Sequence, residues 1–279
     1  MFVQKSRYLW FEAVQAWWPQ SLEEALPLLG QTPVVLLWQC PESLALKFRR
    51  WTFRARPFHT PIIDLGRSEE QLWQKLEPKS CRYEIRKAQK LQCAILRNQE
   101  TEAARALLNE SIGRLQYRPQ IDQSQWQGLL PDHDIFLCTW QGMPVVVHQV
   151  LRGPPQRARL ILSGSADRND PRFHGVVGPC NRLLHWHELL CYKAQGYRVY
   201  DFGGCVLDKD SSQYPITQFK VSFGAEVVAE PHLYLAKNPA RRALLRGLGA
   251  AQRAVRRIPW PQAWLKAVRS NPFMNWTRT

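Results

Sequence analysis

The stretch of residues 200–226, YDFGGCVLDKDSSQYPITQFKVSFGAE, constrains the fold more than any other part of the sequence. Alternating apolar residues from Tyr197 to Phe202 predict a strand. Gly203 and Gly204 then allow a sharp turn, because glycine has no Cβ to forbid positive φ. A polar loop follows over residues 206–215, and residues 216–223 predict a second strand that carries Lys220 between two phenylalanines.

Asp201 stands where the first of these strands meets its turn, and Lys220 lies on the strand that returns. A carboxylate at a strand end, with an ammonium nearby, is typical of a site for an ionic substrate. The alternative is a structural ion pair or an Asx turn, which for Asp201 alone is the commoner outcome.

The chain has 279 residues, of which 45% are apolar, so it has enough length for one large domain or two small ones. Its apolar runs are all shorter than the roughly 20 residues needed to cross a bilayer. Because the first 20 residues also lack a small-residue cleavage site, we expect a cytoplasmic protein.

Seven cysteines are present, an odd number without a CxxC pair. This spacing predicts reduced thiols and supports neither a disulfide framework nor a zinc ribbon. Cys205 lacks an identifiable paired base, so it is a weak candidate nucleophile. Asp208 and Asp210 form a D-x-D pattern without further ligands, which indicates a solvated loop. We therefore predict no metal site.

The formal net charge of +15 is concentrated near the C-terminus, where residues 231–279 contain ten Lys or Arg and no acidic residue. Such a segment indicates an anionic partner: phospholipid headgroups, a phosphate-bearing substrate or nucleic acid. Pro239 begins a basic amphipathic helix, and tryptophans such as Trp260 and Trp264 follow it. Residues 239–264 therefore predict either a membrane-surface contact or a packed helix with its arginines in water.

The remaining elements alternate between helices and strands. We predict helices over residues 1–30, from Ser68, after Pro78, over 100–114 and up to 194, and strands over 32–39, 45–53, 60–65, 91–97, 134–141, 145–152, 159–163 and 198–202. Hairpin turns between the strands of 134–163 make that part antiparallel. The order predicts an α+β fold with a mostly antiparallel sheet.

Two segments of this pattern favour anion binding. In the helix after Pro78, Arg82 and Arg86 are four residues apart and share a face with Lys90. Such a basic stripe is more often only a solvated face. Gly175 and Gly178 precede the helix that ends near residue 194, and free N–H groups at a helix start bind anions such as a pyrophosphate.

Three motifs resemble the FemAB-like branch of the GNAT acyltransferases. They are LWQKL…KSCRYEIRKAQK, then AQGYRVYDFGG, then ITQFKVSFGAEVV, and the similarity covers residues 61–228. The resemblance implies a GNAT-like mixed, mostly antiparallel sheet flanked by helices. It divides the chain into an incomplete N-terminal GNAT-like half (1–65), an acyltransferase domain (66–236) and a basic C-terminal helical tail (237–279).

The resemblance also implies transfer of an acyl group from a carrier to an amine by direct attack. Relatives use acyl-CoA or, in peptidoglycan-bridge enzymes, aminoacyl-tRNA. Bridge enzymes usually have two complete GNAT units. Because only about 65 residues precede the basic helix here, we favour acyl-CoA, acetyl-CoA first, and an amine on a cell-envelope or polysaccharide-related substrate. The substrate would be anionic or glycan-linked. An aminoacyl-tRNA-dependent enzyme and a non-catalytic protein bound peripherally at the inner membrane are the alternatives.

The site residues follow from these motifs. Lys220 would counter negative charge, and Asp201 would accept the proton of the amine or orient a base. His148 and His174 are reserve bases, whereas His185 and His187 are expected on a helix in packed or exposed positions. Carrier phosphates are expected at Gly175, Val177, Gly178, Cys180 and Asn181. Substrate contacts are expected at Arg82, Arg86, Lys87, His148, Gly203 and Gly204.

Overall fold

The computed structural model describes residues 1–116, 118–154 and 156–257, with side chains to residue 250. Its strands are β1 (Phe2–Tyr8), β2 (Phe11–Trp17), β3 (Val34–Trp38), β4 (Thr52–Arg56), β5 (His59–Asp64), β6 (Ala94–Arg97), β7 (His133–Trp140), β8 (Met143–Gly153), β9 (Arg157–Ser165), β10 (Val199–Asp201), β11 (Glu226–Ala229) and β12 (His232–Leu235). Its helices are α1 (Leu22–Ala25), α2 (Leu28–Gln31), α3 (Glu42–Lys47), α4 (Glu69–Lys75), α5 (Tyr83–Lys90), α6 (Thr101–Leu115), α7 (Gln123–Leu129), α8 (Val177–Ala194), α9 (Tyr214–Val221) and α10 (Pro239–Arg257).

The described residues form two compact units. The first contains Met1–Phe58 and the chain from Glu230 onward, and the second is His59–Ala229. The units are therefore bounded near residues 58 and 230, whereas the sequence suggested boundaries at 65 and 236. The difference arises because β5 pairs with β10 and β11 of the second unit, while β12 pairs with β3 and β4 of the first.

The sheet of the first unit has the strand order β1-β2-β3-β12-β4. Its first two strands form a hairpin that pairs Phe2 with Trp17, so the helix predicted over residues 1–30 is wrong. Aromatic and β-branched residues in this segment favour strands. The helical spacing of Trp10 and Val14 misled the prediction, since Trp10 is 67% exposed at the hairpin turn. Only the capped start at Ser21 is confirmed, where the side chain accepts a hydrogen bond from Glu24 N–H.

The C-terminal part of the chain completes this first sheet. Strand β12 lies between β3 and β4 and pairs antiparallel with both, placing Leu233 opposite Leu37 and Ala55. The strand predicted over 45–53 is largely wrong, because residues Glu42–Lys47 are helical and β4 begins only at Thr52. The N-terminal half is thus a complete five-stranded sheet, which the sequence did not predict.

Helix α10 packs on the first unit through Leu245, which is 2% exposed, whereas Leu244 is half-exposed. One of the two predictions for this helix placed its arginines in water. Instead, Arg241, Arg242 and Arg246 donate hydrogen bonds to backbone carbonyls of this unit. A guanidinium reaches such carbonyls because its stem packs along the surface. In the part of the chain that the structure describes, each helix is too short or too polar to span a bilayer. Trp260 and the rest of 258–264 lie outside the described residues.

The sheet of the second unit has the order β11-β5-β10-β9-β8-β7-β6. Adjacent strands in this sheet are antiparallel, except that β9 and β10 run parallel and are joined by α8. The predicted strands over 134–163 and the predicted helices over 100–114 and up to 194 are confirmed. The mixed, mostly antiparallel α+β fold is confirmed as well.

The segment that carries Lys220 is a helix, α9, and not the predicted strand. Pro215 occupies its first turn, where proline is well tolerated because its N–H would be unpaired anyway. The alternation of Phe219, Val221 and Phe223 suggested a strand. Val221, at the end of the helix, instead turns outward and is 41% exposed, while Phe223, two residues after it, is buried.

Candidate functional site

The parallel strands β9 and β10 separate at one edge of the second sheet. Their pairing ends at Asp201 opposite Arg159. Beyond this point β9 continues to Ser165 along β8, whereas Phe202 N–H donates to the carbonyl of Pro61 on β5. Helix α8 starts at the carboxyl end of β9, and the Gly203–Gly204 turn follows the carboxyl end of β10. Ligands of α/β sheets bind at such carboxyl ends, so this edge is the candidate site.

Asp201 is buried at this edge, and its carboxylate is fully engaged. One oxygen accepts hydrogen bonds from Thr60 Oγ1 and, at 2.7 Å, from Gly203 N–H. The other accepts from Arg157 at 3.1 and 2.7 Å and lies 3.9 Å from Arg159 Nε. Because both oxygens are occupied, the geometry gives Asp201 the role of holding the turn in place rather than of taking a proton from a substrate.

The turn itself requires glycine at Gly203. This residue has φ of +72°, and a Cβ there would lie 2.9 Å from the carbonyl oxygen of Leu160. From α9, Lys220 Nζ donates to the carbonyls of Gly203 and Gly204, at 3.2 and 2.6 Å. The structure therefore brings Asp201 and Lys220 together on opposite sides of one short turn, although from a strand and a helix.

The ammonium of Lys220 is unusually ready to lose its proton. Burial lowers the pKa of Lys220 from 10.5 to about 8, and the attraction of Asp201 offsets only part of this effect. Lysines become usable in acid–base and acyl-transfer chemistry when their pKa is lowered in this way. Burial also raises the pKa of the neighbouring Cys205 thiol, which argues against a thiolate nucleophile there.

The start of α8 departs from the predicted phosphate loop. Gly178 faces a carboxylate, since a Cβ at this position would lie 2.9 Å from Glu84 Oε2, where we expected a phosphate. An acidic group at a helix start is favourable because it meets the positive end of the helix dipole. Arg182 Nε lies 4.0 Å from the same oxygen. Val177 and Cys180 are buried, and Asn181 Oδ1 is 3.0 Å from His148 Nε2, so these three contribute no free side chain.

The exposed Gly175 keeps the features of an anion site. Its φ is +70°, and a Cβ there would be 3.5 Å from Lys87 Nζ on α5. The preceding turn of the same helical segment carries Arg82, whose Nε is buried without a hydrogen-bond partner among the described residues. Lys87 thus places positive charge beside Gly175, just before the start of α8.

Arg86 lies elsewhere on α5. Its guanidinium is 5.6 Å from the ring centre of Trp73, and both line a shallow depression of about 450 Å³ with Trp186. Arg86 and Lys87 are therefore separated, although the sequence grouped them. His174 is an exposed loop residue. Asp208 also lies in a solvated loop, where its side chain accepts a hydrogen bond from Asp210 N–H.

A buried polar network behind the turn was missed by the sequence reasoning. Glu188 on α8 lies 2.8 Å from His148 Nδ1 on β8, and it accepts a hydrogen bond from Tyr200 on β10. His185 is 3.0 Å from the Tyr200 hydroxyl and 3.4 Å from Glu188. Helix α8 was expected to present packed or exposed histidines. The sequence signal that could have revealed this network is Glu188, an acidic residue among apolar residues of the helix, three positions after His185.

Burial and neighbouring groups keep His185 neutral and Glu188 ionised in this network. It lowers the pKa of His185 from 6.5 to about 4, and the nearby His148 lowers it further, so His185 is neutral at pH 7. Burial alone would raise the pKa of Glu188. The contact with His148 and the hydrogen bonds outweigh it and hold that pKa at about 2, so Glu188 is ionised. His148 thus lies between an ionised carboxylate and the Asn181 amide.

We expect His185 to make stability depend on pH. Between pH 6.5 and 4 the unfolded chain binds a proton that the folded chain does not, so the free energy of unfolding falls by about 3 kcal/mol as pH falls through this range. His185→Phe removes this contribution, and Phe202 and Phe223 already surround the ring. Urea unfolding at pH 7 and 4.5 measures the difference.

The matched control is His174→Gln, in the exposed loop before α8. It should keep the pH dependence of the wild type. An unchanged pH dependence in His185→Phe would show that His185 does not titrate as the structure indicates.

No protein-family model matches the chain. No curated protein sequence matches it either. Solved structures do match. One of them is FemX, which is 12% identical in sequence and matches with a TM-score of 0.65 over 86% of this chain and 85% of that chain.

Two other structures share the fold over both units. One is the C-terminal domain of a protein described as a lysylphosphatidylglycerol synthetase from Agrobacterium fabrum, with 12% identity, a TM-score of 0.57, and 84% and 82% of the chains covered. The other is L-PGS from Bacillus licheniformis, with 14% identity, a TM-score of 0.56, and 88% and 85% covered. At these identities the likeness establishes the GNAT-like fold, and membership of the FemAB-like branch stays a prediction.

Proposed function

We propose that the protein transfers an acyl group from an activated carrier to an amine, at the edge where β9 and β10 separate. The observation that carries the proposal is the two-unit fold, shared with FemX over about 85% of both chains. The Lys220 ammonium beside a glycine turn adds a chemical reason at that edge.

The residues around the turn would divide the work. Lys220 would stabilise the negative charge that develops on the carbonyl oxygen under attack. Asp201 would hold the turn that presents Lys220. Gly175, with Lys87, would bind a phosphate of the carrier.

The carrier we favour is aminoacyl-tRNA. The sequence favoured acyl-CoA because the N-terminal half looked incomplete, but β12 completes that unit. One structural neighbour is named for lysylphosphatidylglycerol, an aminoacyl lipid. A net charge of +15 suits a large polyanion. Acyl-CoA remains the second candidate, because the proposed anion site at Gly175 needs only one phosphate group, which either carrier could supply.

The acceptor we propose is an amine of a cell-envelope component, and a phospholipid or a lipid-linked glycan would bring it to the membrane surface. The basic helix α10 supports a peripheral contact with the inner membrane, because it carries cations and no acidic residue.

Binding measurements distinguish the carriers. We expect fluorescently labelled aminoacyl-tRNA to bind at low salt, with an affinity that falls steeply as salt rises because counterions are released. Acetyl-CoA and longer acyl-CoA compounds, tested by thermal shift, should leave the melting temperature unchanged. The opposite pattern would favour acyl-CoA, and no binding of either carrier would contradict the transferase proposal.

Lys220→Met should lower the rate of acyl transfer by about 100-fold or more, because the positive charge at the turn is lost. The wild-type rate should also fall as pH rises through about 8, where Lys220 loses its proton. Release of labelled amino acid from the carrier, with acceptor lipid present, measures both. Lys209→Met is the control, because Lys209 is an exposed lysine in the loop before α9, and this variant should keep the wild-type rate. Equal rates in the two variants would remove Lys220 from the mechanism.

A further inference from the structure

Three cysteines from separate elements meet inside the second unit. Cys93 lies between α5 and β6, Cys138 on β7 and Cys180 in the first turns of α8. Their sulfur atoms all lie within 4.8 Å of one another, and those of Cys93 and Cys180 are 3.1 Å apart. The sequence predicted no metal site because these residues form no CxxC pair, but the fold brings together sulfur atoms 87 positions apart in sequence.

The surroundings of the cluster suit a bound ion. Cys138 and Cys180 are fully buried, whereas Cys93 is partly exposed and gives a path from solvent. The thiols of Cys93 and Cys180 already share a hydrogen bond, so their sulfur atoms point toward one another before any ion binds. The thiolate is the form that binds metals.

We propose that Cys93, Cys138 and Cys180 bind a soft, thiophilic metal ion, and that Cu⁺ fits best. Metal–sulfur bonds of about 2.3 Å around one ion place the sulfur atoms roughly 4 Å apart. The separation of 3.1 Å between the Cys93 and Cys180 sulfur atoms would then widen by about 1 Å. In the described residues no fourth histidine, cysteine or carboxylate joins the group, whereas structural Zn²⁺ takes four ligands.

Binding exchanges protons for the ion. Three S–H bonds break and three metal–sulfur bonds form, so three protons are released for each Cu⁺ bound and no electron is transferred. The ion would link the end of α5, β7 and the start of α8. These two helices also frame Gly175, but metal binding itself does not depend on the proposed transferase function.

The test uses the full-length protein, reduced and without oxygen, titrated with Cu⁺ against a coloured Cu⁺ chelator. We expect about one Cu⁺ per chain in the wild type. Cys93→Ala and Cys138→Ser should each weaken binding by about 100-fold or more, because each removes one ligand. Far-UV circular dichroism checks that both variants are folded.

Cys205→Ala is the matched control, since Cys205 is also partly exposed and lies outside the cluster. It should bind Cu⁺ as the wild type does. Equal binding by Cys93→Ala and the wild type would overturn the proposal. A chain that forms a Cys93–Cys180 disulfide in air, but holds no Cu⁺ or Zn²⁺ when reduced, would overturn it as well.

Discussion

Asp201→Asn is expected to lower the free energy of unfolding by about 3–5 kcal/mol. The substitution keeps the shape of the side chain but removes its charge, so the buried guanidinium of Arg157 loses its counter-ion. The buried charge of Arg157 then loses this compensation for its desolvation, and Arg159, whose Nε lies 3.9 Å from the same Asp201 oxygen, loses the same attraction. Urea unfolding at pH 7, compared with the wild type, measures the loss.

The control for this prediction is Asp64→Asn on the adjacent strand β5. The Asp64 side chain is 61% exposed and lies 3.7 Å from Arg67 Nε, so water screens the pair. We expect its stability to stay within about 1 kcal/mol of the wild type. If Asp201→Asn were as mild as this control, the carboxylate would not hold the turn.

Glu188→Ala should be about as severe, with a loss of about 3–5 kcal/mol. The carboxylate receives hydrogen bonds inside the core, so its removal leaves His148 Nδ1 and the Tyr200 hydroxyl buried without that acceptor. The cavity left by the side chain adds to this cost. Urea unfolding at pH 7 measures the loss.

Glu110→Ala on α6 is the comparison for Glu188. Its carboxylate is 61% exposed and pairs with Arg114 one turn later, an arrangement worth only a few tenths of a kcal/mol. A Glu188→Ala protein with the stability of Glu110→Ala would mean that the buried network is not formed as the structure shows.

Local sequence pattern predicted the second unit well and the first poorly. Strands β7 to β9 and helices α6 and α8 have regular apolar spacing, and short turns join the strands, so neighbours in sequence are neighbours in space. In the first unit, the partner of β3 and β4 is β12, far along the chain. Periodicity within a window carries no information about such a partner.

The candidate site was predicted only in part, for a similar reason. Asp201 and Lys220 were found because they stand close to glycines that mark a turn or an end, Gly203 two residues after Asp201 and Gly224 four residues after Lys220. Arg157 and Thr60 were missed because they come from distant strands with no local mark. Lys220 was placed on the wrong kind of element, since eight residues with apolar anchors fit a strand and a helix almost equally.

Strand β12 has a consequence for synthesis on the ribosome. Every strand of the second sheet has been translated by Ala229, but β12, the strand between β3 and β4 in the first sheet, begins only at His232. Until it emerges, β3 and β4 have unpaired edges, the kind of backbone that invites pairing with other chains. The N-terminal residues, although made first, therefore complete their sheet last, and a nascent chain stalled before residue 232 is the form most exposed to aggregation.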